Sequence, residues 1–561
     1  MKFDKARDKV HDEGGTLVAV PLLWAPQHGL EAHASALASC LSLRYTGRGY
    51  PWYGRGSVEM QKMSLIDLFE PSLHGRAQKR AVRFADRWYT FGELNRMSDE
   101  VASGLAGRCG VRRGDRIAMY LGNSPELIAY YLAGLKLGAI VVPMNVLYRD
   151  RELTHLIQDS APKVILCDES RYSEFQPLRE KFPSIHEVVI TAETKTGGTL
   201  RFQDLMGSST GPACKVREAD PALMLYTSGT TGRSKGAVLT HGNLVSNIVA
   251  LVDCWRWTEE DRFLLTLPMF HIHGLCNGLH GALATGCTTF LHSRYRADQV
   301  LKTLEQERGT LFFGVPTMYE RLLEAVMAGS PIPGLMRLYV SGSAPLSPDT
   351  FSRFRDAFGH EILERYGMSE TAMITSNPYD GPRVQGAVGK PLPGVRVRIA
   401  DDSGNPVPAA ETGEIQVRGP NVLKAYWKQP RKTRESFQDD WFRTGDLGRF
   451  DADGNLVICG RLKELIICNG FNVYPQELIN CLTEHHAVEE AAVIGVPDAV
   501  KGEIPKAYVV ASGDETTEEE LRRYCGAHLA RFKVPERIVF LDRLPRNAMG
   551  KLQLKDLPDR E

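Results

Sequence analysis

The segment Tyr226 to Gly236, YTSGTTGRSKG, follows the apolar run Ala222-Leu223-Met224-Leu225. Three glycines, a series of Ser and Thr hydroxyls and two cations within so short a stretch make a flexible loop rich in backbone N–H groups. Such a loop suits the wrapping of a polyphosphate. It is not a Walker A loop, because Ser234 rather than Gly precedes Lys235. A solvent-exposed Ser/Gly linker is the plain alternative, but a linker needs neither cations inside the loop nor a buried strand leading into it.

Further along the chain stand ERYGMSET (Glu364 to Thr371), FRTGD (Phe442 to Asp446), GRLK (Gly460 to Lys463) and PRNAMGK (Pro545 to Lys551). Together with the first loop and in this order, they resemble the motifs of the acyl-adenylate-forming superfamily, which includes acyl-CoA synthetases, luciferases and carrier-loading adenylation domains. The resemblance runs from about Met63 to the C-terminus. It implies that ATP and a carboxylate form an acyl-adenylate with release of pyrophosphate, and that coenzyme A then displaces AMP. Both first-step substrates are anions, so charge neutralisation and alignment should dominate the barrier.

The resemblance also implies roles. Thr227, Ser228, Gly229, Thr230, Thr231, Gly232 and Lys235 would hold ATP phosphates, with Gly367 and Thr371 beside them. Tyr366 would stack on adenine, Asp446 would accept hydrogen bonds from the ribose hydroxyls, and Arg461 would contact ribose or phosphate. Glu370 and Thr227 would hold Mg²⁺, as hard oxygen ligands should. Lys551 would bridge the carboxylate and the α-phosphate, and His271, in a PxFH pattern, would gate the acyl site. Lys463 would be the hinge of a mobile C-terminal domain, whose rotation brings Gly470 and Phe471 to a CoA tunnel. Many relatives have a glycine pair there; here the first position is Asn469.

For the acid, ERYGMSETAMITSNP (Glu364 to Pro378) with Tyr379-Asp380-Gly381 resembles the malonyl-CoA synthetase branch. That likeness implies that Arg321, Ser343 and His273 hold a distal carboxylate. Malonate is the first expectation and methylmalonate the second, because a buried second charge without a cationic partner would cost roughly 3 to 5 kcal/mol. A medium or long-chain fatty acid is the alternative, with Arg321 then pointing out of an apolar pocket; a module that loads a carrier protein is another.

These residues need elements to position them. Thr90-Phe91-Gly92-Glu93 reads as a helix start, Arg116 to Leu121 as a strand, Pro125 to Leu137 as a helix, and Ala139 to Pro143 and Val164 to Cys167 as strands. Alternating strands and helices imply a parallel sheet covered on its faces. One such set spans about Leu65 to Leu205 and a second about Ala222 to Arg365. Short strands and turns between Val384 and Phe450 imply a β-rich subdomain. Beyond Arg461, a helix from Pro475, a strand over Glu490 to Val496, a helix starting at Thr517 and a strand over Arg537 to Leu541 make an α+β unit. The expected organisation is an α/β adenylation domain over 63–460, built from two α/β subdomains and a small β-rich one, with a mobile α+β domain over 461–561. Residues 1–62 are expected to be a loosely ordered extension.

Composition limits the remaining classes. The 561 residues are 43% hydrophobic and 24% charged, and 68 Lys plus Arg balance 68 Asp plus Glu. That is too apolar for intrinsic disorder, and the zero net charge offers no general pull toward nucleic acid or anionic lipid. Length allows two to four domains at roughly 150 residues each. The eleven cysteines form no CxxC pair, so reduced cytosolic thiols are expected. Near the N-terminus Leu37-Ala38-Ser39-Cys40 imitates a lipoprotein box, but Asp12 and Glu13 precede the short apolar run and Pro21 breaks it. A cytoplasmic enzyme with small-molecule substrates is expected, with no nucleic acid, integral membrane association or obligate protein partner.

Overall fold

The computed structural model describes residues 62–192, 198–207, 214–227, 234–469, 471–498, 500–513, 516–546 and 552–558. The extension read over 1–62 lies almost wholly outside the described residues. Four sheets organise the rest.

The first α/β layer is an eight-stranded sheet. Its interior strands Pro221–Thr227, Ile140–Pro143, Arg116–Tyr120, Val164–Asp168 and Glu187–Thr191 run parallel to one another. Those strands are almost continuously apolar and buried, as a sheet covered on both faces requires. The helix that starts after Thr90 begins with a reciprocal cap. The Thr90 hydroxyl accepts from Glu93 N, and the Glu93 carboxylate accepts from Thr90 N, which satisfies two otherwise free donors.

The second layer has nine strands. At its heart are Thr288–Leu291, Arg262–Leu265, Leu311–Gly314, Leu338–Ser341 and Leu363–Met368, all parallel to one another, with Ala372–Ser376 antiparallel beyond the last. The two sequence-contiguous sets do not map one to one onto the two sheets. Arg80–Phe84 and Arg87–Thr90, early in the chain, pair into the nine-stranded sheet, with Arg80–Phe84 parallel to Thr288–Leu291. Pro221–Thr227 and Lys235–Thr240, later in the chain, join the eight-stranded sheet, with Ala425–Tyr426 outside them at its edge. The polyphosphate-type loop is therefore the connection of an antiparallel hairpin rather than a strand-to-helix turn.

The β-rich part is a five-stranded antiparallel sheet of Arg396–Ala400, Gly413–Arg418, Trp441–Phe450, Phe437–Gln438 and Leu456–Arg461. The C-terminal part is a separate five-stranded sheet drawn wholly from Ile466–Cys468 to Arg537–Phe540. Its long hairpin Val488–Asp498 with Gly502–Ala511 is packed against helices Pro475–Thr483 and Glu518–His528. Among the described residues no helix is long and apolar enough to cross a membrane.

Candidate active site

Three groups of functional side chains meet where the sheets end. The first forms around Glu370. Thr227, last residue of its strand, donates its hydroxyl to Glu370 Oε1 at 3.1 Å, and the Tyr426 hydroxyl donates to the same oxygen at 3.0 Å. Lys235 stands with its ammonium 5.2 Å from the centre of the Tyr426 ring and adds its field to Glu370. Glu370 is only 6% exposed, and burial pushes its carboxyl above the ordinary range. Such a carboxylate is short of a counter-cation, and two hard oxygen donors already face one another here; this fits Mg²⁺ carried on phosphates. Tyr426 had no signal in the sequence, because it sits in a two-residue edge strand, Ala425–Tyr426, outside every motif.

The second group is the pair Tyr366 and Asp446. Strand Leu363–Met368 presents Tyr366, whose hydroxyl donates to Asp446 Oδ2 at 2.5 Å, and Arg461 Nε lies 3.3 Å from Asp446 Oδ1. Asp446 and Arg461 are register partners across the strands Trp441–Phe450 and Leu456–Arg461, which explains how motifs fifteen residues apart meet. Gly367 and Thr371 flank this pair, Thr371 fully buried. Just beyond, Leu462 N donates to Gly445 O at 2.9 Å, and Lys463 stands on an exposed turn closed by Glu464 N to Arg461 O. Desolvation, then the neighbouring Arg461 and Lys235, lower the Lys463 ammonium's pKa. Lys463 thus stands in the fields of two other cations, Arg461 and Lys235.

The third group lies beneath the turn Ser341-Gly342-Ser343. A seven-residue π-helix, His273–Leu279, follows His271 and turns His273 inward. π-Helical segments are uncommon and concentrate at functional sites. His273 is 1% exposed and its pKa is well below the usual imidazole range, from burial first and then from Arg365 and His271. It is a neutral ring here, 3.4 Å through Nδ1 from Ser343 Oγ, and its Nε2 has no hydrogen-bond partner among the described residues. His271 is half-buried and its Nδ1 accepts from His273 N at 3.3 Å. Ser343 holds a left-handed backbone, φ 73°, a strained conformation that the fold tolerates at this edge.

Arg365 is the residue that motif reading passed over. It is 4% exposed, and neither Nε nor Nη2 finds a hydrogen-bond partner among the described residues. Burial brings its pKa down to about 9. A Cβ added at Gly342 would come within 2.4 Å of the Arg365 Cζ, so the guanidinium presses directly under that backbone. A signal existed: Arg365 sits between Leu363 and Tyr366 on a strand whose neighbours are buried by position, and a cation there has nowhere to reach water.

Arg321 stands apart. Its side chain is exposed on helix Pro316–Met327, its charge felt by Tyr295, and no hydrogen bond or ion pair engages it among the described residues. The structure thus brings His273 and Ser343 together and leaves Arg321 at the surface without contact to either. Tyr379 and Asp380, part of the branch-like segment, are occupied elsewhere: Arg337 and Arg256 lie over the Tyr379 ring, and Asp380 pairs with Arg256. Phe471 is 55% exposed and stacks on Phe532 at 4.7 Å. Asn469 adopts φ 51°, which explains why Asn can stand where a glycine pair is usual, since Asn tolerates the left-handed region best among residues with a side chain. Ser228, Gly229, Thr230, Thr231, Gly232, Gly470 and Lys551 lie outside the described residues. The ends of the Lys551 loop are described: Arg546 and Leu552 form an antiparallel bridge, and Gln553 N donates to Pro545 O at 2.8 Å.

Comparison with known proteins places this geometry. Residues 69–427 match the model of the AMP-binding enzyme family, and residues 478–551 that of the AMP-binding enzyme C-terminal domain. The chain belongs to the AMP-binding enzyme family. As a member it is an AMP-forming acid–thiol ligase of the acyl-CoA synthetase type, working through an acyl-adenylate. The crystal structure of ATP-bound MatB from Rhodopseudomonas palustris superposes with a TM-score of 0.81 at 39% identity, over 88% of this chain and 98% of that one. Feruloyl-CoA synthase from an Amycolatopsis species is 38% identical over 84% of this chain and 94% of its own length. Malonate–CoA ligase from Arabidopsis thaliana is 35% identical over 94% of this chain and 87% of its own.

Proposed function

We propose that this AMP-binding enzyme activates a small dicarboxylic acid, malonate first and methylmalonate second, and transfers it to coenzyme A. The observation that carries the reading is the buried, unpaired Arg365 guanidinium beside neutral His273 and Ser343. An isolated interior cation costs several kcal/mol, roughly 3 to 5, and a carboxylate that binds there offsets the cost through charge-assisted hydrogen bonds. Exposed Arg321 would serve as an outer cation that attracts the same anion. Overall identity does not choose the acid, since relatives named for feruloyl and malonyl substrates are about equally similar.

The space behind His273 argues against a long acyl chain. Phe313 stacks on His273 with ring centres 6.4 Å apart, and Trp255, Trp257 and Phe263 close around Phe313 at 4.8–5.3 Å. All four rings are at most 1% exposed. An apolar tunnel would have to displace that cluster, whereas a three-carbon diacid stops in front of it.

In the proposed mechanism the phosphate loop and Lys235 hold ATP, Tyr366 stacks on adenine and Asp446 releases Tyr366 and Arg461 to take the ribose hydroxyls. Thr227 and Glu370 would hold Mg²⁺, which when bound neutralises phosphate charge. The proximal carboxylate oxygen attacks the α-phosphorus in line, the bond to the bridging oxygen breaks, and pyrophosphate leaves. Lys551 would steady the charge that builds on the phosphorus. The C-terminal domain, taken as 461–561, then turns at Lys463, removing Lys551 and presenting the Asn469 to Phe471 segment to coenzyme A. The thiol loses its proton, sulfur attacks the acyl carbon and AMP departs.

The deciding experiment is pyrophosphate release across malonate, methylmalonate, acetate, octanoate, palmitate and ferulate, followed by thioester formation with free coenzyme A. Malonate or methylmalonate should have the highest kcat/KM. A best rate with octanoate, palmitate or ferulate would replace the diacid reading, and adenylation without transfer to free coenzyme A would favour a carrier protein as acceptor.

A further inference from the structure

The backbone that carries Glu370 is strained. Ala372 has φ 50°, a left-handed conformation that an alanine adopts only at a cost. It opens the second strand of a hairpin, Leu363–Met368 with Ala372–Ser376, whose turn contains Glu370 and Thr371. In that conformation Ala372 O packs so closely on Gly367 that a Cβ added at the glycine would overlap it. The twist at Ala372 therefore sets how the turn lies on the nucleotide-motif strand and where the Glu370 carboxylate points.

Two buried asparagines from distant parts of the chain hold the turn in this shape. Asn421 Nδ2 donates to Thr371 O at 2.7 Å and to Met373 O at 2.8 Å, the carbonyls on either side of Ala372. A primary amide has two N–H donors, and both are used here. Asn247, on helix His241–Cys254, accepts from Met373 N at 2.9 Å through its Oδ1. Both asparagines and residues 371–373 are at most 2% exposed, so water cannot replace these bonds. The two supports are also tied to each other, because Asn243 of the same helix donates to Pro420 O at 2.7 Å. Segment 421–426 reaches Glu370 directly as well: Leu423 N donates to Glu370 O at 2.7 Å, and the Tyr426 hydroxyl donates to Oε1. A strained backbone persists only where its surroundings over-determine it, and here three elements do so.

We infer that Asn421 and Asn247 are positioning residues for the cation site: they clamp Ala372 in its left-handed form and so aim the Glu370 carboxylate at Thr227. The inference rests on the Mg²⁺ role proposed above for Glu370 and is indifferent to which acid is activated. It assigns neither asparagine a contact with substrate.

The test uses the full-length enzyme and two readouts. ATP binding is measured by calorimetry with Mg²⁺ and with EDTA, the acid omitted, and ATP–pyrophosphate exchange is followed against Mg²⁺ concentration. The parent enzyme should bind ATP more tightly with Mg²⁺. In Asn421→Ala that gain should shrink about tenfold, the lower end of the loss expected when a group that orients a metal ligand is removed, and half-maximal exchange should need correspondingly more Mg²⁺. ATP affinity in EDTA and the KM for the acid should stay within about twofold. Asn247→Ala removes one hydrogen bond instead of two and should show the same pattern at about threefold, which keeps the test open if Asn421→Ala does not fold. Adding Ala372→Gly to Asn421→Ala should recover about threefold of the Mg²⁺ response, since glycine takes a positive φ without strain. An unchanged Mg²⁺ response in both asparagine variants, an equal loss in Mg²⁺ response and acid KM, or no recovery with Ala372→Gly would each overturn the clamp. Glu370→Gln run in parallel tells the two failures apart. If it removes the Mg²⁺ gain while the asparagine variants keep it, only the clamp falls; if it leaves the gain intact, the role assigned to Glu370 falls and the inference with it.

Discussion

At the scale of single residues, the role proposed for buried Arg365 implies an exchange of stability for recognition. Arg365→Met removes the charge and retains much of the side chain's volume. We expect the substrate-free protein to be about 1 to 3 kcal/mol more stable to urea, since a buried unpaired charge is lost, while kcat/KM for malonate falls over a hundredfold, about 3 kcal/mol. A variant that loses both stability and activity would make Arg365 a structural residue. Arg321→Ala should cost less, about 1 kcal/mol in kcat/KM for malonate, because its guanidinium is exposed and screened by water. Acetate should be nearly indifferent to both substitutions.

Secondary-structure elements meet at a second place with pH-sensitive chemistry. The helices Leu65–Leu73, His241–Cys254 and His280–Thr285 pack around two fully buried imidazoles. Leu65 N donates to His241 Nδ1 at 3.2 Å, and the Tyr131 hydroxyl is 2.7 Å from His280 Nε2. Burial lowers the His241 pKa to about 4 and the His280 pKa to about 3. Both folded values lie below the ordinary 6.5. The unfolded chain therefore takes up protons that the folded one refuses, and stability is whole above pH 6.5 and declines as pH falls toward 4. Between pH 6.5 and 5 each histidine should remove roughly 2 kcal/mol. Urea midpoints measured at pH 7.5, 6 and 5 should show the decline, and His280→Gln should flatten it. An unchanged slope in that variant would assign the acid sensitivity to other groups.

The whole molecule must satisfy two chemistries in turn with one active site. Lys463 lies on the turn that follows Arg461 and precedes the C-terminal sheet, close to Arg461 and Lys235. Replacing it with Pro fixes φ at the turn through which the chain enters the C-terminal sheet. One half-reaction should then survive at least tenfold better than the other, as judged by pyrophosphate exchange against thioester formation from malonyl-adenylate. Equal retention of both would put the pivot at another residue.

The sequence by itself determined the family, the α/β class and the order of the nucleotide-binding motifs, because each motif is a local statement. Glycines and hydroxyls make a phosphate loop wherever they occur together, and the Thr90–Glu93 cap or the period of Pro125–Lys136 depends on neighbours three or four residues away. Tertiary structure alone decided which strands share a sheet. Arg80–Phe84 and Pro221–Thr227 exchanged the layers that chain order suggests, since pairing depends on edges left open by distant segments. It also decided which polar groups lose water. Arg321, inside a familiar motif, stayed at the surface, while Arg365 was sealed under Gly342 and Tyr426 was brought from a short edge strand to Glu370. Desolvation is the reason for that division: the cost of burying a charge is set by everything packed around it, and no window of sequence contains those neighbours.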